Sequence, residues 1–533
     1  MRLLPADTFL SDPALRSLLR AYLPPETLAW AEPQLTELGR LAGSELSTLG
    51  DECERQPARL VPIDPWGERV DQVVYPDAWR RLGAVAARFG LAGMPHEAES
   101  RRAAGPDVRV VHSALCYLFE PQTATYMCPV SMTDAAARVL LESGPAGLRD
   151  RVVPRLVSRD PDQAWTAGQW MTEQQGGSDV GANAVEARCV AGEWRLFGRK
   201  YFCSNVGGDV VLALARPESG AAGTRGLGLF LVPRLLAGGR RNSYRIDRLK
   251  DKLGTRAMAT GEVTLQAAQA ELVGDLERGF AQITPMLNIT RLHNAIASAA
   301  ALRRGLTLAR AYAAQRSAFG RPLDQQPLQR QVLSDLAVQA EAALHLTMRL
   351  AALLGRVEQD AATEAERLVC RVGGSLVKLY TAKQAVAGAS EVIEAFGAAG
   401  YMEDTGIARL LRDAQVLPIW EGTTNVLSLD VLRVLAKPGV DEAFLSELEV
   451  LGSPGRDHAD RLLRDISDDP ERAQRGARHL AFGLAEAWVD GLFERAAGPG
   501  GRRAAVVAER WRSRAGPGPG ADDDFELIVD GEG

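Results

Sequence analysis

Only six cysteines and six histidines occur among 533 residues, and neither type is spaced to hold a metal. Cys53, Cys116, Cys128, Cys189, Cys203 and Cys370 include no CxxC pair. That excludes the common zinc sites and points to reduced core thiols rather than a disulfide framework. Also missing is an uninterrupted apolar run long enough to cross a bilayer. Pro5 and Asp7 interrupt the N-terminus before the apolar core of a signal peptide could form. A cytoplasmic protein with no membrane partner is expected. There is no excess of positive charge either. The net charge of −6 argues against a nonspecific grip on nucleic acid, although a local basic patch is still possible.

What is present belongs to a soluble globular protein, with 46% hydrophobic and 24% charged residues. The length exceeds that of one core, so two to four packed units are expected. From Met1 to about Trp165 the apolar period is helical and punctuated by prolines, with an extended, charged connection over 51–77. Val110–Leu118 and Ala135–Leu141 are apolar enough for buried helices, and His112 among them reads as a core histidine. After Trp165 the period changes to that of strands separated by glycine turns. With no intervening helices, these predict a compact antiparallel unit over 166–278. From Ile283 the helical period returns. Leu302, Leu306, Ala309 and Ala313, then Leu333 to Leu350, then Val372 to Ala389 mark the faces of a bundle of about four helices.

The stretch Leu417-Pro418-Ile419-Trp420-Glu421-Gly422-Thr423-Thr424-Asn425 sets a carboxylate between an aromatic and a glycine. Ile419 and Trp420 could exclude water from Glu421 and suit it to accepting a proton. Gly422 lets the backbone pass close to a ligand. Thr423 is a helix N-cap, ahead of an apolar face of Val426, Leu429, Val431 and Leu432. Taken alone, the same residues also fit an ordinary loop-to-helix junction. A second stretch, Gly168 to Val180, contains Gly176-Gly177-Ser178-Asp179, where backbone amides and a hydroxyl can converge on an anion. It is not a dinucleotide fingerprint, because strands follow it instead of a helix.

Met171-Thr172-Glu173 with Gly177-Ser178-Asp179 resembles the Thr-Glu-x-x-x-Gly-Ser-Asp signature of acyl-CoA dehydrogenases. Gly198 to Asn205 resembles their flavin-side strand end, and Lys252-Leu253-Gly254-Thr255-Arg256 the middle of their β domain. Arg316-Ser317-Ala318-Phe319-Gly320 is similar to their Arg-x-x-Phe-Gly motif, and Trp420-Glu421-Gly422-Thr423 to their catalytic-base motif. The five motifs fall in the family's order over roughly residues 80 to 436. Gln174-Gln175-Gly176, Gln325-Gln326-Pro327-Leu328 and Leu429-Asp430-Val431-Leu432-Arg433 resemble most closely the AidB-type, alkylation-response branch.

The resemblance implies an α+β, acyl-CoA dehydrogenase-like fold. Its parts are an N-terminal helical domain (1–165), a central antiparallel β domain (166–278), a four-helix bundle carrying the base (279–436), an extra C-terminal helical domain (437–514) and a disordered acidic tail (515–533). It implies FAD, held by Met171, Thr172, Gly177, Ser178, Phe202, Cys203, Ser204, Arg316, Phe319, Trp420, Gly422, Thr423 and Asn425. Phe202 would cover one flavin face, Ser204 would reach the N5 edge, and Arg316 would meet the pyrophosphate of a neighbouring subunit's FAD, in a homotetramer. Ser178, Arg291 and Glu421 would contact an acyl-CoA thioester. Glu421 would take its α-proton while the β-hydrogen leaves as hydride to the flavin, and an electron-accepting flavoprotein could follow. In some relatives the base lies before an arginine on an early bundle helix. Here that position is Thr290, which cannot serve.

Two features depart from the family. Its Leu-Gly-Gly-x-Gly turn reads Phe396-Gly397-Ala398-Ala399-Gly400, where Ala398 would crowd a positive φ. AidB-type proteins are associated with DNA binding through a basic C-terminal domain, yet Asp441–Gly533 has twelve arginines, no lysine and twenty acids, a net of −8. The first expectation is therefore an FAD-dependent acyl-CoA dehydrogenase. The alternative is a flavin-containing DNA-binding protein of alkylation stress with residual dehydrogenase activity.

Overall fold

The computed structural model describes residues 3–498, 501–513 and 524–531. In chain order, α1 (Pro13–Tyr22), α2 (Pro25–Ala42) and α3 (Glu45–Arg55) precede a hairpin of β1 (Arg59–Ile63) and β2 (Arg69–Val74). Then come α4 (Asp77–Arg88), α5 (Ala98–Ala104), α6 (Val108–Phe119), α7 (Met127–Ser143) and α8 (Ala146–Leu156). Seven strands follow: β3 (Ala167–Trp170), β4 (Glu186–Val190), β5 (Glu193–Ser204), β6 (Val210–Pro217), β7 (Gly228–Pro233), β8 (Tyr244–Leu249) and β9 (Thr260–Leu272). The helical period then produces α9 (Gly279–Gln315), a short hairpin of β10 (Ser317–Ala318) and β11 (Arg321–Pro322), α10 (Pro327–Glu358) and α11 (Glu364–Phe396). The chain continues through α12 (Ala398–Tyr401), α13 (Ile407–Ala414), α14 (Thr424–Leu435), α15 (Val440–Val450), α16 (Arg456–Arg464), α17 (Pro470–Ala497), α18 (Gly501–Ser513) and α19 (Phe525–Asp530). No helix among the described residues is long and apolar enough to cross a membrane.

The elements divide between two compact units. One comprises Leu46–Ala98 and Thr123–Thr290, the other Met1–Glu45, Glu99–Gln122 and Arg291–Gly533. In the first, β6, β4, β5, β9 and β7 pair in turn and β7 returns to β6, closing a ring. Inward alternation fills it with Leu196, Val211, Phe230, Val263 and Leu265, all at most 2% exposed. The expected unit is mostly antiparallel, but β6 runs parallel to both β3 and β4. The expected extended connection over 51–77 is instead the end of α3 and the β1–β2 hairpin. That hairpin is fastened to the ring by Asp71, which pairs with Arg69 (3.0 Å) and Arg241 (3.1 Å), while Arg69 donates to the Ile246 carbonyl (3.0 Å).

In the helical unit, α11 packs on α10, α14 and α17. All twelve residues of α6 are buried, as expected of so apolar a stretch, with His112 and the Glu358-paired Arg109 among them. Gly373 lets α17 approach α11, since a Cβ there would stand 2.8 Å from the Trp488 ring. The Trp488 indole N–H donates to Glu447 (3.3 Å), which also takes Arg349 in a two-point pair (2.7 and 2.8 Å). Four cysteines are buried, whereas Cys189 is exposed and does not fit the expectation of core thiols.

The arginines after Asp441 are mostly engaged in intramolecular pairs. Arg503 makes a two-point pair with buried Glu341 (2.9 and 2.6 Å) and donates to the Ile528 carbonyl (3.0 Å), joining α18, α10 and α19. Arg510 meets Asp335 (2.9 Å) and Arg512 meets Glu494 (2.8 Å). The tail expected to be disordered over 515–533 includes α19, whose Phe525 and Val529 are buried, so that expectation fails there. Residues 514–523, and Pro499 and Gly500 of the expected hinge, lie outside the described residues. Burial alone would raise the Glu341 carboxyl, but Arg503 and His345 bring it down to about 2. Its contribution to stability is therefore complete above the ordinary carboxylate pKa and lost as pH falls toward 2. Arg503→Met leaves Glu341 buried without its main partner. It is expected to destabilise the docking of α18 and α19 by about 3–5 kcal/mol, seen as faster limited proteolysis after Ala497.

Candidate functional site

The turn after β3 is held by the acid of its own motif. The buried Glu173 carboxylate accepts from the Ala184 amide (2.7 Å), the Val185 amide (3.2 Å), the Gln175 side chain (3.1 Å) and Lys200 Nζ (2.8 Å). Lys200, fully buried on β5, also donates to the Leu214 carbonyl (2.8 Å). Burial would raise the Glu173 carboxyl, but the charge and hydrogen bond of Lys200, with the Ala184 amide and Gln175, leave it lowered. Glu173 is thus a brace and not a base. The Tyr201 amide donates to the Thr172 carbonyl (2.9 Å), and the Asn183 side chain to that of Met171 (2.8 Å). Gly177 leaves room for Thr172, since a Cβ there would stand 2.6 Å from Thr172 Oγ1 and force a shift. So braced, the turn exposes Gly177, Ser178 and Asp179 while Met171 and Thr172 are half-buried.

At the end of β5 the register against β9 shifts between Lys200 and Cys203, placing one extra residue in β5. This bulge resets the alternation, so Lys200 and Cys203 both point inward although an odd number of positions separates them. Phe202 is left half-buried at the rim. The Cys203 thiol lies in the core of the ring, where burial pushes its pKa up. Cys203 was expected among the cofactor contacts, but the structure leaves it only backbone to offer. Ser204 and Asn205 are buried, and Asn205 sits at φ 50° with its side chain donating to the Ala167 carbonyl (3.0 Å).

In the helical unit, Glu421 is half-buried and sits at φ 56°, a left-handed conformation that is uncommon for a residue with a side chain. The loop around it is anchored at three points. Asn294 donates to the Leu417 carbonyl (3.1 Å), Lys378 Nζ donates to the Gly422 carbonyl (2.7 Å), and Thr423 caps α14 by accepting from the Val426 amide (3.4 Å). Trp420 is half-buried with its indole N–H enclosed and unpartnered, whereas Ile419, the other residue expected to exclude water, is 59% exposed. The buried face of α14 is Leu427, Val431, Val434 and Leu435. Of the residues expected there, Val426 and Leu432 are half-buried and Leu429 is 40% exposed. Asn425 is exposed. Gly422 has φ 107°, and a Cβ there would lie 2.8 Å from the Leu427 side chain. Gly422→Ala is expected to cost about 1–3 kcal/mol, read as a lower melting temperature.

Arg291 was expected at the substrate. Its guanidinium instead donates to Asp430 (3.0 Å) and Ser375 (3.0 Å), and Ser375 donates to the same carboxylate (2.7 Å). It is an internal tie between α9, α11 and α14. Thr290 is buried with its hydroxyl donating to the Met286 carbonyl (2.9 Å), so it offers no base. The Gly397–Gly400 turn removes the concern over Ala398, because Gly397 takes the positive φ (60°) and Ala398 opens α12. Arg316 and Phe319 frame the β10–β11 hairpin. Arg316 is exposed and makes no ion pair among the described residues, and Phe319 is 98% exposed at φ 54° on the hairpin tip.

Two functional supports escaped the sequence reading. Lys200 lay within a recognised motif, but its pairing with Glu173 needs the β5 register. Lys378 is fully buried in a helix read only for its apolar face, and burial pulls it down to about 7, opposed by Glu421 and assisted by Arg291.

A β ring presenting a braced glycine turn, and a helical bundle presenting a left-handed glutamate, define a protein of the acyl-CoA dehydrogenase type. Residues 2–163 match the model for the adaptive response protein AidB N-terminal domain, 168–268 the acyl-CoA dehydrogenase middle domain and 277–436 its C-terminal domain. Acyl-CoA dehydrogenase family member 11 of Caenorhabditis elegans is 40% identical over 519 residues, spanning 91% of this chain and 84% of that one. The AidB protein of Escherichia coli (strain K12) is 34% identical over 517 residues, 92% of each chain. The crystal structure of C. elegans ACDH-11 in complex with C11-CoA superimposes with a TM-score of 0.91 at 36% identity, covering 99% of this chain and 96% of that one. The apo form of Bd2924 does so at 0.89 and 40% identity, covering 92% and 98%. The chain belongs to the acyl-CoA dehydrogenase family of FAD-dependent oxidoreductases, with an N-terminal domain of the AidB type.

Proposed function

We propose that the protein binds FAD and catalyses α,β-dehydrogenation of an acyl-CoA thioester, with Glu421 as the base. The observation that carries this reading is the backbone at Glu421, which is held at φ 56° by a loop anchored through Leu417, Gly422 and Thr423. Strain kept in place by its surroundings is a property of functional positions.

The residues present fit FAD. The exposed Gly177–Ser178 turn offers backbone and hydroxyl donors, Phe202 offers an aromatic face at the strand rim, and Ser204 lies beside it. Trp420 keeps an enclosed indole N–H without an acceptor. Thr172, Met171, Gly422, Thr423 and Asn425 complete the set, and Cys203 contributes through backbone only. When bound, FAD supplies the acceptor for the β-hydride. The protein's own part is to orient the thioester, with Ser178 near its phosphate or thioester region, and to take the α-proton on the Glu421 carboxylate. The unpaired Arg316 and the bare Phe319 support a homotetramer in which this hairpin reaches a neighbouring subunit's FAD. An electron-accepting flavoprotein would reoxidise the enzyme. We place it in the cytoplasm, with domain limits at about 165, 278 and 436.

The AidB relationship also supports a DNA-binding reading, but the net charge of −8 after residue 440 and the internal pairing of Arg503, Arg510 and Arg512 oppose it. The test is anaerobic addition of short, branched and long acyl-CoA thioesters to FAD-loaded protein. Bleaching of the flavin by one chain class is expected. No bleaching by any thioester, with FAD bound, would remove the enzyme reading and leave salt-sensitive DNA affinity as the alternative to measure.

A further inference from the structure

Of 62 basic residues only six are lysines, so arginine is this chain's ordinary cation. Lysine at a fully buried position therefore calls for an explanation. Lys200 has one in Glu173; Lys378 is different. Its Nζ is closed off from solvent and donates to the main-chain carbonyl of Gly422 (2.7 Å), the residue after the left-handed Glu421. A guanidinium is bulkier and stays charged, whereas an amine on a flexible stem reaches one carbonyl and can shed its proton. We propose that Lys378 is a positioning residue for Glu421, fixing the strained Glu421–Gly422 peptide and placing a titratable positive charge within electrostatic reach of the carboxylate. This inference rests on Glu421 being the base.

The charged groups acting on the amine are Glu421, which favours its charged form, and Arg291, which disfavours it. Arg291 is offset by Asp430, with Ser375 donating to that carboxylate as well, and Asp430 also pairs with Arg433. From α13, Arg409 faces Asp413 (3.8 Å). A cation on Lys378 keeps the Glu421 carboxyl ionised at lower pH. Without it, the base protonates at a higher pH and the acid limb of the rate profile moves up.

The test uses full-length, FAD-loaded wild type, Lys378→Met, Lys378→Gln and Glu421→Gln, following anaerobic flavin bleaching by one active acyl-CoA from about pH 4 to about pH 9, which runs from the ordinary carboxylate range to just above the ordinary thiol value. For Lys378→Met, a fall of about tenfold or more in the limiting rate is expected, with the half-saturating thioester concentration little changed. Its acid limb should move up by about one pH unit. Lys378→Gln can still donate to the Gly422 carbonyl, so it should recover part of the rate without restoring the limb. It also answers the question if the methionine variant fails to fold. Wild-type rate and limb in a folded lysine variant, with Glu421→Gln inactive, would overturn this inference alone. Full activity in Glu421→Gln, or no bleaching of the wild type, would overturn the assignment of the base and this inference with it.

Discussion

Glu421→Gln is expected to slow thioester-driven flavin bleaching by about 10²–10⁴-fold while the protein still folds and binds FAD. The amide has nearly the carboxylate's shape, so the backbone of the loop should not relax. Its φ of 56° is imposed by the Leu417, Gly422 and Thr423 anchors, none of which uses the Glu421 side chain. What is lost is the ability to accept a proton. No other motif residue replaces it, since Glu173 is braced by Lys200 and Thr290 is a buried alcohol. The measurement is a stopped-flow rate alongside FAD content and melting temperature. A variant that loses FAD or melts early would instead show that Glu421 holds the loop.

The second large effect lies in the β unit. Glu173→Gln leaves the Lys200 ammonium buried without its counter-ion and turns an amide donor toward other donors. A cost of about 3–5 kcal/mol is expected. The Met171–Asp179 turn is tied down through Glu173, so FAD affinity should fall together with the melting temperature. Lys200→Met should do the same from the other side. Because the two residues form one unit, the double variant should lose less than the sum of the singles, and a thermodynamic cycle reads that difference. The pH dependence has a definite sign. Glu173 is lowered in the folded state, so its stabilisation is complete above the ordinary carboxylate pKa and declines as pH falls through the folded value.

The motif residues were more legible than the geometry around them. Thr172, Glu173, Gly177, Ser178 and Glu421 stand in motifs whose local order is itself the signal, and the change of period set the first four at the entry to the strands and Glu421 among the helices. Register is not local. The bulge between Lys200 and Cys203 decides that Cys203 points inward and Phe202 stays at the rim, and no single-strand pattern contains it. The parallel pairings of β6 likewise depend on which strands become neighbours. On α14 the apolar residues admit two overlapping faces, and packing selects the one through Leu427 and Val434, leaving Leu429 outward. Arg291 and Lys378 show the same limit for charge. A cation on a helix reads as solvent-facing until a partner such as Asp430, or a carbonyl such as that of Gly422, is brought to it.

The central claim is that Glu421 removes a proton from the carbon next to a thioester. Acetyl-CoA has α-hydrogens and no β-hydrogen, so it isolates that step from hydride transfer. In D₂O, with FAD bound, the wild type should catalyse uptake of deuterium at the acetyl α-carbon, and Glu421→Gln should exchange no faster than buffer, both read by mass spectrometry. Equal exchange by the two proteins, or none by the wild type, would contradict the assignment.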